Sequence, residues 1–164
     1  MAMVWLGLAL FFSVHSVPML PPLRAALLAR LCDNGWKGIH TLCAAIGLGL
    51  MIWGVARARA EGAPLWLEPR LGLRHAAVAV MAPVFPLLIA SGVDGWIRAR
   101  LVHPMLTGVI LWAAAHLLVV GAAPIVAIAA AFLVWGLADR LSLAARAAGR
   151  PRPPVPPFGR GDLA

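Results

Sequence analysis

Long apolar runs, separated by short clusters of proline, glycine and arginine, set the pattern of this chain. Five of them, residues 3–20, 39–56, 75–90, 104–120 and 123–138, are almost free of charge. Each approaches the roughly 17–25 residues that a helix needs to cross a bilayer. The third, as short as the fifth, carries Pro83 and Pro86, which predicts a kinked helix there rather than none. The predicted fold is all-α: a polytopic transmembrane helix bundle of about five spans.

Composition strengthens that reading. Of 164 residues, 62% are hydrophobic and 12% charged, with a mean hydropathy of +0.90. A soluble domain of this length cannot hide so much apolar surface, so lipid is the expected solvent. The first run is expected to be a retained helix rather than a cleaved signal. No basic residue precedes it, and no small-x-small site follows before Pro18, Pro21 and Pro22. Cys32 and Cys43 form no CxxC pair and point to neither a disulfide scaffold nor a metal knuckle.

Charge then orients the bundle. With alternating connections, Arg24, Arg30, Lys37, Arg98, Arg100, Arg140, Arg146, Arg150, Arg152 and Arg160 fall on one side, against Arg57, Arg59, Arg70 and Arg74 on the other. The positive-inside bias places the tail in the cytoplasm and the N-terminus outside. The net charge of +8 is therefore an orientation and anionic-lipid signal. Nucleic-acid binding is a poor reading, because no basic stripe interleaved with aromatics is present. Residues 1–143 form the expected membrane domain. Residues 144–164 form a cytoplasmic tail rich in proline and arginine, expected to be extended or disordered. Gly47, Gly49 and Gly54, and Ala113–Ala115, offer small faces for close helix packing.

The chemistry available inside the runs is narrow. Asp33, Glu61, Glu68, Asp94, Asp139 and Asp162 lie in connections, at a run's end or in the tail. A proton pump, an ion-coupled transporter and an intramembrane aspartyl protease are disfavoured on that ground. Ser13 and Ser16 flank His15 with no acid in reach to complete a triad. No HExxH, phosphate loop or dinucleotide fingerprint occurs.

Five histidines remain. His40, His75 and His103 fall where runs meet the interface, within reach of water or headgroups, whereas His15 and His116 sit inside apolar sequence. An imidazole in hydrocarbon needs partners for one donor and one acceptor nitrogen. A metal would satisfy the acceptor, and a backbone carbonyl or Ser16 the donor. With imidazoles and no carboxylate or thiolate nearby, haem iron fits better than zinc or calcium. On a helix, Met105, Val109 and Trp112 share the face of His116, and Ala113 lies one turn before it. The same pattern describes an ordinary helix–helix seam, so spacing alone leaves both readings open.

Four segments carry a resemblance. They are GLALFFSVHSVP at residues 7–18, RH at 74–75, HPMLTGVILWAAAHLLVVG at 103–121 and WGLADRLSL at 135–143. Together, in order, they resemble the NnrU family, and the HPxxxGxxLWxxxHL core is the more specific part. The resemblance implies a membrane protein associated with denitrification, supporting nitrite and nitric oxide reduction. It also implies kinship with the plant 15-cis-zeta-carotene isomerase, a membrane haem b protein. On that likeness His15 and His116 are the expected haem b ligands, with Arg24, Arg98 or Arg100 as partners for the propionates. Two departures stand against the plant pattern: Ala113 occupies the place of a cysteine, and the end of the fourth run reads Val120, Gly121, Ala122. His15 and His116 also differ by about 10 Å in expected depth, which leaves His15 with His40 or His103 as the alternative pair.

Three roles follow. The first is redox support of nitrogen-oxide reduction by a haem protein. The second is haem-dependent cis-trans isomerisation of a polyene, which needs an exchangeable coordination position. The third is a non-catalytic membrane assembly factor whose histidines only bridge helices. The segment HPMLTG also resembles an isoprenylcysteine-type methyltransferase motif, but Val102 replaces its arginine and the chain has no tyrosine.

Overall fold

The computed structural model describes residues 1–68, 71–101 and 103–148. These form seven helices: α1 Ala2–His15, α2 Pro21–Ala60, α3 Arg74–Met81, α4 Val84–Ala90, α5 Trp96–Leu101, α6 Pro104–Val119 and α7 Ala123–Ala147. Single 3₁₀ turns occupy Val17–Met19 and Leu71–Leu73. Among the described residues the β-type pairing is one isolated bridge, Leu65 to Ala122. Helices α2 and α7, with 40 and 25 residues, are long and apolar enough to cross a membrane. The stretches Ala2–His15, Arg74–Ala90 and Pro104–Val119 are shorter apolar helices.

The helix ends differ from the sequence expectation for local reasons. The first run was expected to be helical to residue 20, yet α1 stops at His15 and a 3₁₀ turn follows around Pro18. Proline cannot donate the hydrogen bond a continuing helix requires. The connection expected before residue 39 is itself helical, because Pro21 and Pro22 occupy the first positions of α2, where their missing N–H is harmless. Pro83 breaks the third run as expected. It sits at the N-cap of α4, and Pro86 falls within that helix's first turn. Helix α7 continues to Ala147. The expected tail, 144–164, lies outside the described residues from 149 onward.

The chain divides into two compact units. The first comprises Met1–Trp66 and Ala122–Ile128, the second Leu67–Gly121 and Ala129–Ala164. In the first, α1 lies against the C-terminal half of α2 so closely that backbones touch. A Cβ placed on Gly7 would stand 2.6 Å from the Gly47 carbonyl oxygen and 2.8 Å from the Met51 nitrogen. A Cβ on Gly47 would meet Gly7 O and Phe11 N at 2.9 Å. Gly54 accommodates Val4, which is fully buried. Gly49 has nothing within 4 Å, so it is not part of this seam. Helix α2 ends in a left-handed turn: Gly62 has φ +70°, Gly62 N–H donates to Arg59 O at 3.2 Å, and Ala63 N–H to Ala58 O at 2.8 Å. Glycine supplies that conformation without strain. Inside α2, Cys32 has φ 55° and ψ 172°, a glycine-like conformation that breaks the helix into two limbs.

In the second unit α6 packs against α3 and α4 and meets α7. Leu106, Gly108, Ala113 and Ala115 are its buried residues beside Pro104. Gly108 approaches the Val84 carbonyl at ordinary contact distance, and Gly136 of α7 receives the Ile110 side chain. The Trp112 ring meets Phe132 edge-on, with centroids 5.5 Å apart.

Candidate functional site

Two histidines, His15 at the end of α1 in the first unit and His116 within α6 in the second, are fixed in the same way. In the first unit His15 shares a hydrogen bond of 2.8 Å between Nδ1 and the Phe11 carbonyl, four residues back. In the second, His116 Nδ1 lies 2.8 Å from the Trp112 carbonyl, again four residues back. A carbonyl only accepts, so Nδ1 is the donor in both rings, which in a neutral imidazole leaves the lone pair on Nε2. Each ring also rests against the aromatic side chain of that same earlier residue. Phe11 stacks on His15 at 4.0 Å and 15°, and Trp112 lies 4.5 Å from His116 at 43°. Helical geometry explains this, because residues four apart stand on one face.

Both rings are only partly buried. His15 has a second neighbour, His40 of α2, with ring centroids 4.7 Å apart and planes 57° apart. Trp36 stands edge-on to His40 at 5.8 Å. The first unit thus gathers Phe11, His15, Trp36 and His40 into one aromatic cluster near the His15 end of α1. His75 and His103 lie exposed at the starts of α3 and α6. The His103 carbonyl accepts the Thr107 N–H at 3.2 Å.

The arginines expected beside propionates have other company. Arg98 donates to Asp94 at 2.9 Å, and the Arg100 guanidinium sits 5.3 Å over the Trp96 ring. Arg24 is exposed near the start of α2. Arg140 reaches the Thr107 hydroxyl at 3.4 Å, and Arg146 lies 3.7 Å from Asp139.

The donor set can be tested against haem. Among the described residues no group of three or more His, Cys, Asp or Glu assembles to hold a bare metal ion. A porphyrin supplies four nitrogens itself and asks for one or two imidazoles, each with its second ring nitrogen anchored. His15 and His116 each meet that requirement. His15 and His40, the alternative pair, meet ring to ring within the first unit.

Sequence reasoning found both histidines and expected a backbone carbonyl or Ser16 on the donor nitrogen, without saying which carbonyl it would be. The signal was present as an aromatic residue four positions before each one, FFSVH and WAAAH. It named His15 with His40 only as an alternative pair by depth, not as a ring contact, which depends on how α1 lies along α2.

Fold and side chains together define an all-helical protein with two membrane-length apolar helices and intrahelical histidines held by their own backbones. The chain belongs to the NnrU family: the family model described as NnrU protein matches residues 3–161, nearly the whole chain. No curated protein and no solved structure matches it.

Proposed function

We propose that this NnrU protein is a multi-span protein of the bacterial inner membrane that binds haem b and supports nitrite and nitric oxide reduction. The single observation that carries the reading is the repeated tether, with Nδ1 of His15 and of His116 each held by a carbonyl and an aromatic ring four residues back. Such a tether fixes tautomer and ring orientation before any ligand arrives, which is what an iron ligand requires. Family membership supports the nitrogen-oxide role.

The membrane part of the proposal draws on exposure. Trp5, Leu6, Leu42, Ile52, Val78, Phe85, Val134 and Leu141 are all large apolar residues open to the surroundings. That surface is unfavourable in water and matched by hydrocarbon. In this reading α1, the α3–α4 pair, α6 and the two long helices supply five spans, with the N-terminus outside and the tail cytoplasmic.

Haem, when bound, supplies reversible one-electron chemistry. The chain's own residues hold it and tune it. The His15 and His116 carbonyl tethers raise ligand basicity, and Phe11 and Trp112 wall the imidazoles from water. Arg24, Arg98 and Arg100 are the cations proposed for the propionates, Arg98 and Arg100 by exchanging Asp94 and Trp96 for them.

The test is an optical spectrum, oxidised and reduced, of detergent-purified protein made with ample haem. His15→Ala, His116→Ala and His40→Ala are measured beside it. A Soret band with sharp reduced α and β bands, lost in the first two variants and kept in the third, is the expected result. A spectrum with an open coordination position would turn the reading to polyene isomerisation. A folded wild type without haem would overturn both and leave helix-bridging histidines in an assembly factor.

A further inference from the structure

Helix α2 is too long for the membrane it is assigned to. Its two limbs together hold 40 residues, about 60 Å of helix laid end to end, twice the roughly 30 Å of bilayer hydrocarbon. The charge-free part, residues 38–56, covers about 28 Å and fills that thickness alone. Lys37 and Trp36 stand at one end of it, Trp53 and Arg57 at the other, the residue types found at membrane–water boundaries. Residues 21–31 therefore lie beyond the hydrocarbon, and the non-helical Cys32 turns the chain between them and the span.

No described residue of this limb is fully buried: Leu23, Arg24 and Arg30 are exposed, and Leu27, Leu28 and Leu31 are partly covered. The buried residues of α2 are Gly47, Met51, Gly54 and Ala58, all in the other limb. The limb is nevertheless not built for water. At 100° per residue, Leu23, Leu27 and Leu31 form a stripe spanning about 80° of arc. Arg24 and Arg30 flank it, each about 20° beyond an edge. The opposite side carries Ala25, Ala26 and Ala29, which are exposed, with the half-buried Leu28 at its margin. Leucines bracketed by long cationic side chains match a bilayer surface. The apolar stripe sinks below the headgroups while the arginine stems lie along it and lift their charges to the phosphates.

We infer that residues 21–31 form an interfacial helix lying in the headgroup layer, its Leu23–Leu27–Leu31 stripe toward the hydrocarbon, hinged to the span at Cys32. The partner is the lipid surface, and the paired arginines favour its anionic lipids. This rests on the membrane reading above. It adds that α2 has one limb through the bilayer and one limb on it.

The test uses the full chain in vesicles of neutral and anionic phospholipid at three to one. Spin labels are placed singly at Ala25→Cys, Ala29→Cys, Leu23→Cys, Leu27→Cys and Leu31→Cys in a chain lacking both native thiols. A sixth sample keeps Cys43, inside the span, as the depth standard. Collisions with oxygen, which partitions into hydrocarbon, are compared with collisions with a water-soluble nickel chelate. We expect the oxygen-to-nickel ratio to be several-fold higher at the three leucine positions than at the two alanines, with Cys43 highest. Equal, nickel-dominated ratios at all five limb positions, with Cys43 still deep, would overturn the interfacial helix and leave the membrane reading intact. Leucine labels shielded from both reagents would overturn it in favour of a protein partner. A nickel-accessible Cys43 would bring down the membrane reading itself.

Discussion

The two units solve the same packing problem at different levels of the chain. In the first, α1 and α2 meet backbone to backbone: Gly7 opposes Gly47 O, Gly47 opposes Phe11 N, and Gly54 opposes Val4 N. In the second, the close approaches of α6 are mostly to side chains, Leu87 and Leu88 beside Gly108 and Ile110 against Gly136. A side chain can rotate away from an intruding methyl group, whereas a backbone atom moves only with its helix. The first unit is therefore the rigid one, and it is the one that brings two histidines from different helices into ring contact.

Gly7→Ala should produce the largest effect. The new Cβ would collide with Gly47 O and Met51 N, neither of which can yield alone. We expect a loss of about 3 kcal/mol, with separation of His15 from His40 as α1 is pushed out. Thermal melts in detergent would show it. Gly49→Ala, two residues from the seam on a face with nothing within 4 Å, should instead be neutral or gain a few tenths of a kcal/mol from helix propensity. Equal losses from the two variants would break the comparison.

Gly136→Ala probes the second unit's tightest approach, 2.8 Å to Ile110 Cγ1. Because that atom belongs to a side chain, the cost should stop at about 1 kcal/mol, measured the same way. Gly108→Ala, at 3.4 Å from Val84 O and 3.5 Å from Leu87 Cβ, meets ordinary contacts and should change stability by less than about 0.5 kcal/mol.

These contrasts also mark what the sequence could and could not tell. Apolar runs located all five apolar helical stretches, and Pro83 located the break in the third, because burial and proline chemistry act locally. Gly47 and Gly54 were singled out correctly as small-face residues, but Gly49 was grouped with them, since spacing along one helix does not reveal which face its neighbour takes. His15 and His116 stood out by type and setting. Their tethers were legible in principle from the i, i+4 aromatic residues. The His15–His40 contact was not, because it depends on how two distant segments align. The strained Cys32 gave no warning either. Asp33, Asn34 and Gly35 follow it as a turn-like cluster, yet the positive φ falls on the cysteine just ahead of them.

That residue gives a gain rather than a loss. L-side chains rarely adopt φ 55° with ψ 172°, a conformation that costs on the order of 1–3 kcal/mol outside glycine. Cys32→Gly should raise stability by about 1 kcal/mol, part of the relief being offset by the greater freedom of glycine in the unfolded chain. A melt of this variant should move opposite to Gly7→Ala, although both lie in the same unit. A loss of stability would mean that the hinge is held by contacts of the thiol rather than tolerated despite them.

The smallest effect compares two exposed ion pairs, one taken from each unit. Asp94 precedes Arg98 at the start of α5, whereas Arg57 precedes Glu61 at the end of α2. A carboxylate suits a helix start and is disfavoured at a helix end, so Glu61 depends on its arginine in a way Asp94 does not. The Arg57 guanidinium, bonded to Glu61 through Nε at 3.0 Å, holds that carboxyl below its usual range. A depressed carboxylate stabilises the fold above its unfolded pKa, and that contribution is lost as pH falls through the folded value. The pair is exposed, so no change in the melt is expected. The readout is the titration of the Glu61 carboxyl carbon by NMR. Arg57→Gln should move its midpoint upward, past the usual range if the helix end acts on it, and added salt should shrink the difference. An unmoved midpoint would show that α2 ends on its Gly62 turn alone, with the Arg57–Glu61 contact incidental.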